Sequence, residues 1–184
     1  MIFSPTIVND GRRMLISAQN LSFMIGNNRN TSYENIDFQS FFKKNHPNEI
    51  RFSTVLRASA TFPMIMPMME MPTKPEIQLM DAGIRDNYGG KVSVDYLFAL
   101  NEWVLNNTSG VIILEIRDTK RIMSNEKYKE VSLMDKLFLP FGNLLTNFTR
   151  TQDLDQEQLI KLCKSSFNFP VDKITFNLRE DYNE

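Results

Sequence analysis

The chain contains 184 residues, of which 42 % are hydrophobic and 23 % are charged, a composition typical of a single domain or domain fragment spanning residues 1–184. A formal net charge of −1 and isolated basic pairs, rather than a basic stripe, exclude nucleic acid as a partner. The single cysteine and single histidine cannot form a disulfide or a zinc site within one chain. No metal or cofactor is therefore expected.

No membrane span or signal peptide is predicted in this sequence. The longest apolar run, 62–69, contains two prolines and falls far short of the roughly 18 residues that a membrane span needs. The N-terminus lacks a basic region followed by an apolar one. The sequence leaves the cellular location open.

The first half of the chain alternates between strand-like and helix-like patterns. Asn9-Asp10-Gly11 carries the Asp-Gly signal of a hairpin turn, so the strands on either side of it are expected to pair. Ser53 can cap a helix that ends before Pro63, because proline pushes the preceding residue out of helical geometry. In chain order, the predicted elements are strands over 2–8 and 14–18, a loop over 20–32, helices over 34–44 and 53–62, and a strand over 77–80.

The second half predicts longer elements. Pro140 is expected to kink or split one amphipathic helix, and Asp153 followed by Gln156 is typical of a capping box at the start of another. The predicted elements are a helix from 93 to 104, a buried strand over 111–116, helices over 133–148 and after 153, and a strand over 171–178. Strands interleaved with helices favour an α/β fold with a mixed sheet and flanking helices.

Glycine spacing excludes several kinds of active site. The glycines are residues 11, 26, 83, 89, 90, 110 and 142. No two are four residues apart, so the chain holds no G-x-S-x-G nucleophile elbow, and none are five apart, which excludes a P-loop. No G-x-G occurs either, which excludes a dinucleotide fingerprint.

Asp81 is the most informative residue, because it ends a short apolar strand and is followed at once by Ala82-Gly83. This order places a carboxylate at a sheet edge, where it is accessible to a reacting group. The alternative is an ordinary strand-end acid whose side chain caps the turn through local backbone hydrogen bonds. By the same alternative, Asp86 and Asn87 are simple turn-formers.

Three segments, taken in order, resemble the patatin-like phospholipases. Asp81-Ala82-Gly83, with Asn87 after it, resembles the family's aspartate motif, and Arg57-Ala58-Ser59-Ala60-Thr61-Phe62-Pro63 resembles the small-residue helix that precedes it. The strand pair around Asn9-Asp10-Gly11-Arg12 is similar to the strands that lead into that helix. The resemblance covers roughly residues 2–116 and implies part of a three-layer α/β/α fold.

The resemblance implies a serine acyl hydrolase of lipid esters that works through a Ser-Asp dyad without a catalytic histidine. Asp81 would be the catalytic acid, with Gly83 and Asn87 supporting its turn. Burial near Phe62 and the Met-rich run 64–71 would raise its pKa enough for it to act as a base. The lone His46, in a polar turn, is expected to be a surface residue.

Two departures from the family's pattern affect this interpretation. Ala82 occupies a position that is usually glycine, so a looser turn that aims Asp81 differently is expected. The nucleophile elbow and the oxyanion loop are absent, and Ser59 corresponds to a packing serine rather than to the nucleophile. The chain is therefore interpreted as the C-terminal part of a catalytic domain, carrying the dyad acid and inactive alone.

Two further hypotheses come from other functional classes. One is a non-catalytic module that contacts a lipid interface or a partner protein through the Met-rich run and the 133–148 stretch, although methionines also serve as core filler. The other is a self-associating protein, because a partial sheet exposes strand edges and apolar surface. The expected partners are thus an acyl-ester lipid, a membrane interface or a second copy.

Overall fold

The computed structural model describes residues 1–25, 34–62, 66–117 and 133–178, the segment 133–149 through its helical backbone alone. It contains two compact units, Met1–Leu100 and Asn101–Glu184. The first unit holds a curled, largely antiparallel sheet and the second a small parallel sheet, each accompanied by helices. The predicted α/β class is therefore confirmed.

The sheet of the first unit is built around β3. Its strands are β1 (Ile2–Phe3), β2 (Thr6–Ile7), β3 (Arg13–Ser17), β4 (Asn35–Asp37), β5 (Met69–Met71) and β6 (Ile77–Met80). They lie in the order β1-β3-β2-β6-β5, and β4 pairs with β3 in parallel. The other pairings found within this sheet are antiparallel, so the sheet is mixed, as predicted.

The predicted hairpin is confirmed. Thr6 of β2 pairs with Arg13 of β3, and Gly11 takes the left-handed conformation that the turn requires, with φ of 75°. The predicted strand 2–8 is interrupted, because residues at positions 4 and 5 separate β1 from β2. Both pieces still pair with β3.

The helices of the first unit differ from prediction at their beginnings. They are α1 (Phe38–Phe41), α2 (Phe52–Ala60), α3 (Gly83–Asp86) and α4 (Gly90–Ala99). The predicted helix 34–44 is partly wrong, because residues 35–37 pair with β3 as a strand and Asp37 then caps α1 by accepting from Ser40 N–H. Helix α2 is confirmed, but Arg51 is its N-cap residue and Ser53 does not cap it.

Apolar residues cover both faces of β3, which explains its continuous apolar run. Met14 and Ile16 belong to the larger core, and Leu15 points into a smaller one with Leu21 and Val92. The other buried members of the larger core are Ile7, Phe38, Phe42, Val55, Ala58, Met71 and Leu79. A strand buried on both faces cannot alternate between apolar and polar residues.

The second unit is a parallel strand pair with one long helix between its strands in sequence. Its elements are α5 (Asn101–Asn107), β7 (Val111–Arg117), α6 (Leu133–Ser166) and β8 (Val171–Asn177). Both predicted strands form, and they pair in register from Val111↔Val171 onwards. The predicted burial of strand 111–116 is wrong, because Ile112, Leu114 and Ile116 are exposed. The helix predicted over 93–104 is divided at Leu100 into α4 and α5.

Helix α6 corrects two predictions. It is one continuous helix where two helices, over 133–148 and after 153, were predicted, and it is not split at Pro140. Asp153 lies within the helix rather than at its start, so the predicted capping box is wrong. The carboxylate of Asp153 binds the guanidinium of Arg117 on β7 instead. The Asp153 side chain thus forms a long-range ion pair rather than an N-cap hydrogen bond.

Candidate functional site

Asp81 follows the last residue of β6 and is held by its backbone on two sides. Its N–H donates to the carbonyl of Thr61, just after α2, over 2.8 Å. Its carbonyl accepts from the Thr6 hydroxyl over 3.1 Å, and Thr6 pairs with Met80 across β2 and β6. These contacts fix the point from which the Asp81 side chain leaves the sheet.

The Asp81 carboxylate is half-buried and bound locally. Its Oδ1 accepts from the Gly83 N–H over 2.6 Å, the local hydrogen bond expected of a turn-forming aspartate. Burial raises the pKa of the Asp81 carboxyl above its usual range, although the Gly83 hydrogen bond acts in the opposite direction. The Asp81 side chain therefore both forms the turn and has a raised pKa.

Gly83 gives the site its shape because two side chains converge over it. A Cβ at this position would lie 2.7 Å from Asp81 Oδ1 and 2.9 Å from Asn87 Oδ1. Asn87 is the C-cap residue of the short helix α3, which Gly83 begins. The carboxylate and the amide oxygen thus occupy the space that any other side chain would fill.

Ala82, expected to loosen the turn, lies in ordinary right-handed helical geometry with φ of −64° and ψ of −33°. An alanine adopts this conformation without strain. Its N–H donates to the Ser59 carbonyl near the end of α2 over 3.1 Å. The backbone here does not require glycine.

The fold brings together the three segments singled out in the sequence. The hairpin strand β2 lies beside β6, and the end of α2 accepts hydrogen bonds from Asp81 and Ala82. Arg85 of α3 donates to the carbonyl of Gly11 in the hairpin turn. Residues far apart in sequence therefore surround the Asp81 turn.

The two other residues weighed as catalytic lie as expected. His46 is exposed and precedes a short 3₁₀ turn, Pro47–Glu49, so the prediction of a surface residue is confirmed. The Ser59 hydroxyl is buried and has no hydrogen-bond partner among the described residues. A hydroxyl shielded from solvent is a poor nucleophile for an external ester.

The Met-rich run divides between core and surface. Met71 is buried in the larger core, and Met69 packs against it, both as part of β5. Met66 and Met68 are exposed. Residues 63–65 lie outside the described part of the chain, so the expected apolar surroundings of Asp81 are defined here only in part.

A buried arginine beside this turn escaped the sequence analysis. Arg13 of β3 is 1 % exposed, and its guanidinium lies 2.5 Å from Asp95 and 3.7 Å from Asp86. Asp86 also accepts from the N–H groups of Lys91 and Val92 at the start of α4. An arginine at the first position of an otherwise apolar strand was the available signal.

Neither a metal centre nor a membrane span is found in the parts of the chain that the structure describes. No group of three or more His, Cys, Asp or Glu side chains could hold a metal ion there. Within the same residues, no helix combines the length and apolarity needed to cross a bilayer.

Comparison with protein-family models, with curated proteins and with solved structures finds no match to this chain.

Proposed function

We propose that this chain contributes the acid-bearing part of a serine acyl hydrolase that acts on lipid esters, as its resemblance to the patatin-like phospholipases implies. The observation that carries the proposal is the Asp81 carboxylate, which lies at a strand end, partly desolvated and oriented by Gly83 N–H. In a Ser-Asp dyad, such a carboxylate accepts the hydroxyl proton as the serine oxygen attacks the ester carbonyl.

The raised pKa of Asp81 suits this role. An unperturbed aspartate is a weak base at neutral pH, and partial burial makes it a stronger one. Because Oδ1 is occupied by the Gly83 N–H over 2.6 Å, Oδ2 is the oxygen that would meet the serine. Asn87, whose side chain lies over the same glycine, would limit the directions from which the serine can approach Oδ2.

The serine itself must come from a segment other than residues 1–184. No glycine pair in these residues can frame an elbow, and the buried Ser59 hydroxyl is not placed to replace it. The proposal therefore assigns the chain one half of a dyad. The elbow-bearing segment would be covalently joined to it or bound non-covalently.

The test is ester hydrolysis by the natural assembly that contains this chain, with a short-chain p-nitrophenyl ester and with phosphatidylcholine. Asp81→Asn is expected to lower kcat/KM by about 10²–10⁴-fold, the usual contribution of a positioned base. Asp10→Asn is the matched control, because Asp10 lies in the neighbouring hairpin turn and is paired with Arg12 at the surface. It should retain full activity.

Activity that survives Asp81→Asn would overturn the proposal, and so would an assembly with no esterase activity. The isolated chain should be inactive. If it hydrolysed the ester in an Asp81-dependent way, the assignment of half a dyad would be wrong. Ser59→Ala would then test whether Ser59, the one serine of the 57–63 motif, is the nucleophile.

A further inference from the structure

The two-stranded sheet of the second unit has its apolar side turned outwards. Side chains on a strand alternate between faces, and the six large apolar residues of one face are between 45 % and 72 % exposed. We call this surface the outer sheet face; it consists of Ile112, Leu114, Ile116, Ile174, Phe176 and Leu178. Leu114 lies opposite Ile174, and Ile116 lies opposite Phe176.

The opposite face is apolar at its beginning and carries charged residues further along. Glu115 and Arg117 are buried there, and Lys173 Nζ lies 2.8 Å from Glu115 Oε2. Arg117 reaches Asp153 of α6, so this charged face lies against the helix. Charged residues are thus buried on the helix side while large apolar residues of the other side are exposed, the reverse of what a solvated sheet does.

A parallel sheet is normally covered on both faces, since its backbone and apolar side chains are then removed from water. The exposed residues form one continuous patch rather than scattered positions. Among the described residues of the two strands, the only charged side chain on the outer face is Asp172, at its beginning. A patch of this kind marks a contact surface.

We propose that the outer sheet face is the interface between two copies of this chain. Its side chains each present on the order of 100 Å² of apolar surface, which amounts to roughly 600 Å² per copy and about 1,200 Å² in a dimer. That area reaches the lower limit of stable protein interfaces. The face is its own complement, because it is apolar in its middle and holds no charge there to repel a second copy.

Two such faces would stack as a small sandwich. Paired sheets lie about 10 Å apart with their strands nearly aligned, and a two-fold axis would pass near the centre of the face. Leu114 lies near that centre, with Ile112 and Ile116 on either side of it. A charge at Leu114 would meet its own copy across the axis.

The test is sedimentation equilibrium of the full chain over a wide concentration range. The wild type is expected to form dimers, and Leu114→Glu is expected to raise the dimer dissociation constant at least about tenfold. Leu162→Glu is the matched control, because it introduces the same charge at a similarly exposed leucine of α6. It should leave the constant within about twofold of the wild type.

A mixture of Leu114→Glu and Leu114→Lys chains keeps the test independent of folding defects. Each variant alone should be monomeric, and the mixture should recover dimers through the opposite charges. Phe176→Ser, which removes apolar area without adding charge, should also weaken the dimer.

A wild-type monomer at every concentration would overturn the proposal, because another part of the chain or a different partner would then cover the face. A dimer that Leu114→Glu weakens no more than Leu162→Glu does would overturn it equally. The inference does not depend on the proposed acyl hydrolase, since none of its residues belongs to the Asp81 turn.

Discussion

At the scale of single residues, the Asp81 turn depends on one glycine and one partly buried acid. Gly83 supplies both the N–H that binds Asp81 Oδ1 and the open space above its Cα. Partial burial desolvates the charged form of Asp81 and raises its pKa, so ionising this side chain costs stability. Sites that retain such costs are often functional.

Gly83→Ala should move the carboxylate without unfolding the protein. The new Cβ would lie 2.7 Å from Asp81 Oδ1, so this side chain must shift by about 0.5 Å or more to reach normal contact. Because Gly83 is helical, alanine there recovers backbone stability, and the free energy of unfolding should change by less than about 1 kcal/mol. A crystal structure of the variant and its unfolding curve check both parts.

Gly89→Ala is the control for this prediction. Gly89 has φ of 68° and open space around its Cα, so alanine there is strained by about 1–2 kcal/mol. It should lower stability and leave the Asp81 carboxylate in place. An unmoved carboxylate in Gly83→Ala would contradict the packing described here.

Asp81→Asn should stabilise the protein at neutral pH. The folded pKa is raised, so the stability associated with this group is fully present below the unfolded value of about 3.9 and is lost as pH rises through the folded pKa. Asparagine keeps an acceptor for Gly83 N–H without the charge. Since the acid is half-exposed and partly screened by solvent, we expect a gain of only ~0.5 kcal/mol at pH 7.

Urea unfolding at neutral and at acidic pH measures this difference, which should vanish below about pH 3.5, where both side chains are neutral. Asp10→Asn should behave oppositely at neutral pH, because the hydrogen bond from Arg12 lowers the pKa of Asp10 in the folded state. Equal effects of the two substitutions would contradict the conclusion that burial raises the pKa of Asp81.

At the scale of elements, buried or partly buried ion pairs connect strands to helices. Arg13 links β3 to α4 through Asp95, and Arg117 links β7 to α6 through Asp153. Removing one partner of such a buried pair leaves a charge without compensation, which is far more destabilising than losing a surface pair. The ion pair between Arg117 and Asp153 joins β7 to α6.

Glu115→Gln should destabilise the second unit by about 2–3 kcal/mol at neutral pH. Burial alone would raise the pKa of Glu115, but hydrogen bonds from Lys173 and Thr175 and the charge of Arg117 lower it overall. Its stabilising effect is therefore present above the unfolded value of about 4.3 and is lost as pH falls through the folded pKa. The wild type and the variant should converge in acid.

Far-UV circular dichroism follows this unfolding through the loss of α6, the longest helix described in the unit. Asp172→Asn serves as the control, because its ion pair with Lys164 is exposed and should contribute at most about 1 kcal/mol. A loss in Glu115→Gln that persisted unchanged at low pH would rule out the ionic explanation.

At the scale of the whole molecule, low net charge and an exposed apolar face act together. The chain has a pI near 5.9, so it carries little charge to keep copies apart at mildly acidic pH. Solubility should be lowest near pH 6 and rise on either side. Precipitation assays across pH would detect this minimum, and Leu114→Glu should make it shallower by charging the outer sheet face.

Much of the fold could be predicted where the signal was local. The Asp-Gly pair marked the hairpin turn, and a short apolar run marked β6 and therefore the position of Asp81. The wrong predictions depend on residues that are far away in sequence. Residues 35–37 became a strand because they pair with β3, and Asp153 is not a cap because α6 begins far upstream, at Leu133.

The sequence by itself determined which active-site loops are absent, because glycine spacing needs no structure, and it placed an acid at a strand end. Only the tertiary structure decided that Asp81 is partly buried, that Asn87 and Asp81 meet over Gly83, and that β7 exposes Ile112, Leu114 and Ile116. The burial of a side chain depends on which residues pack against it, and for these positions those residues are far away in sequence.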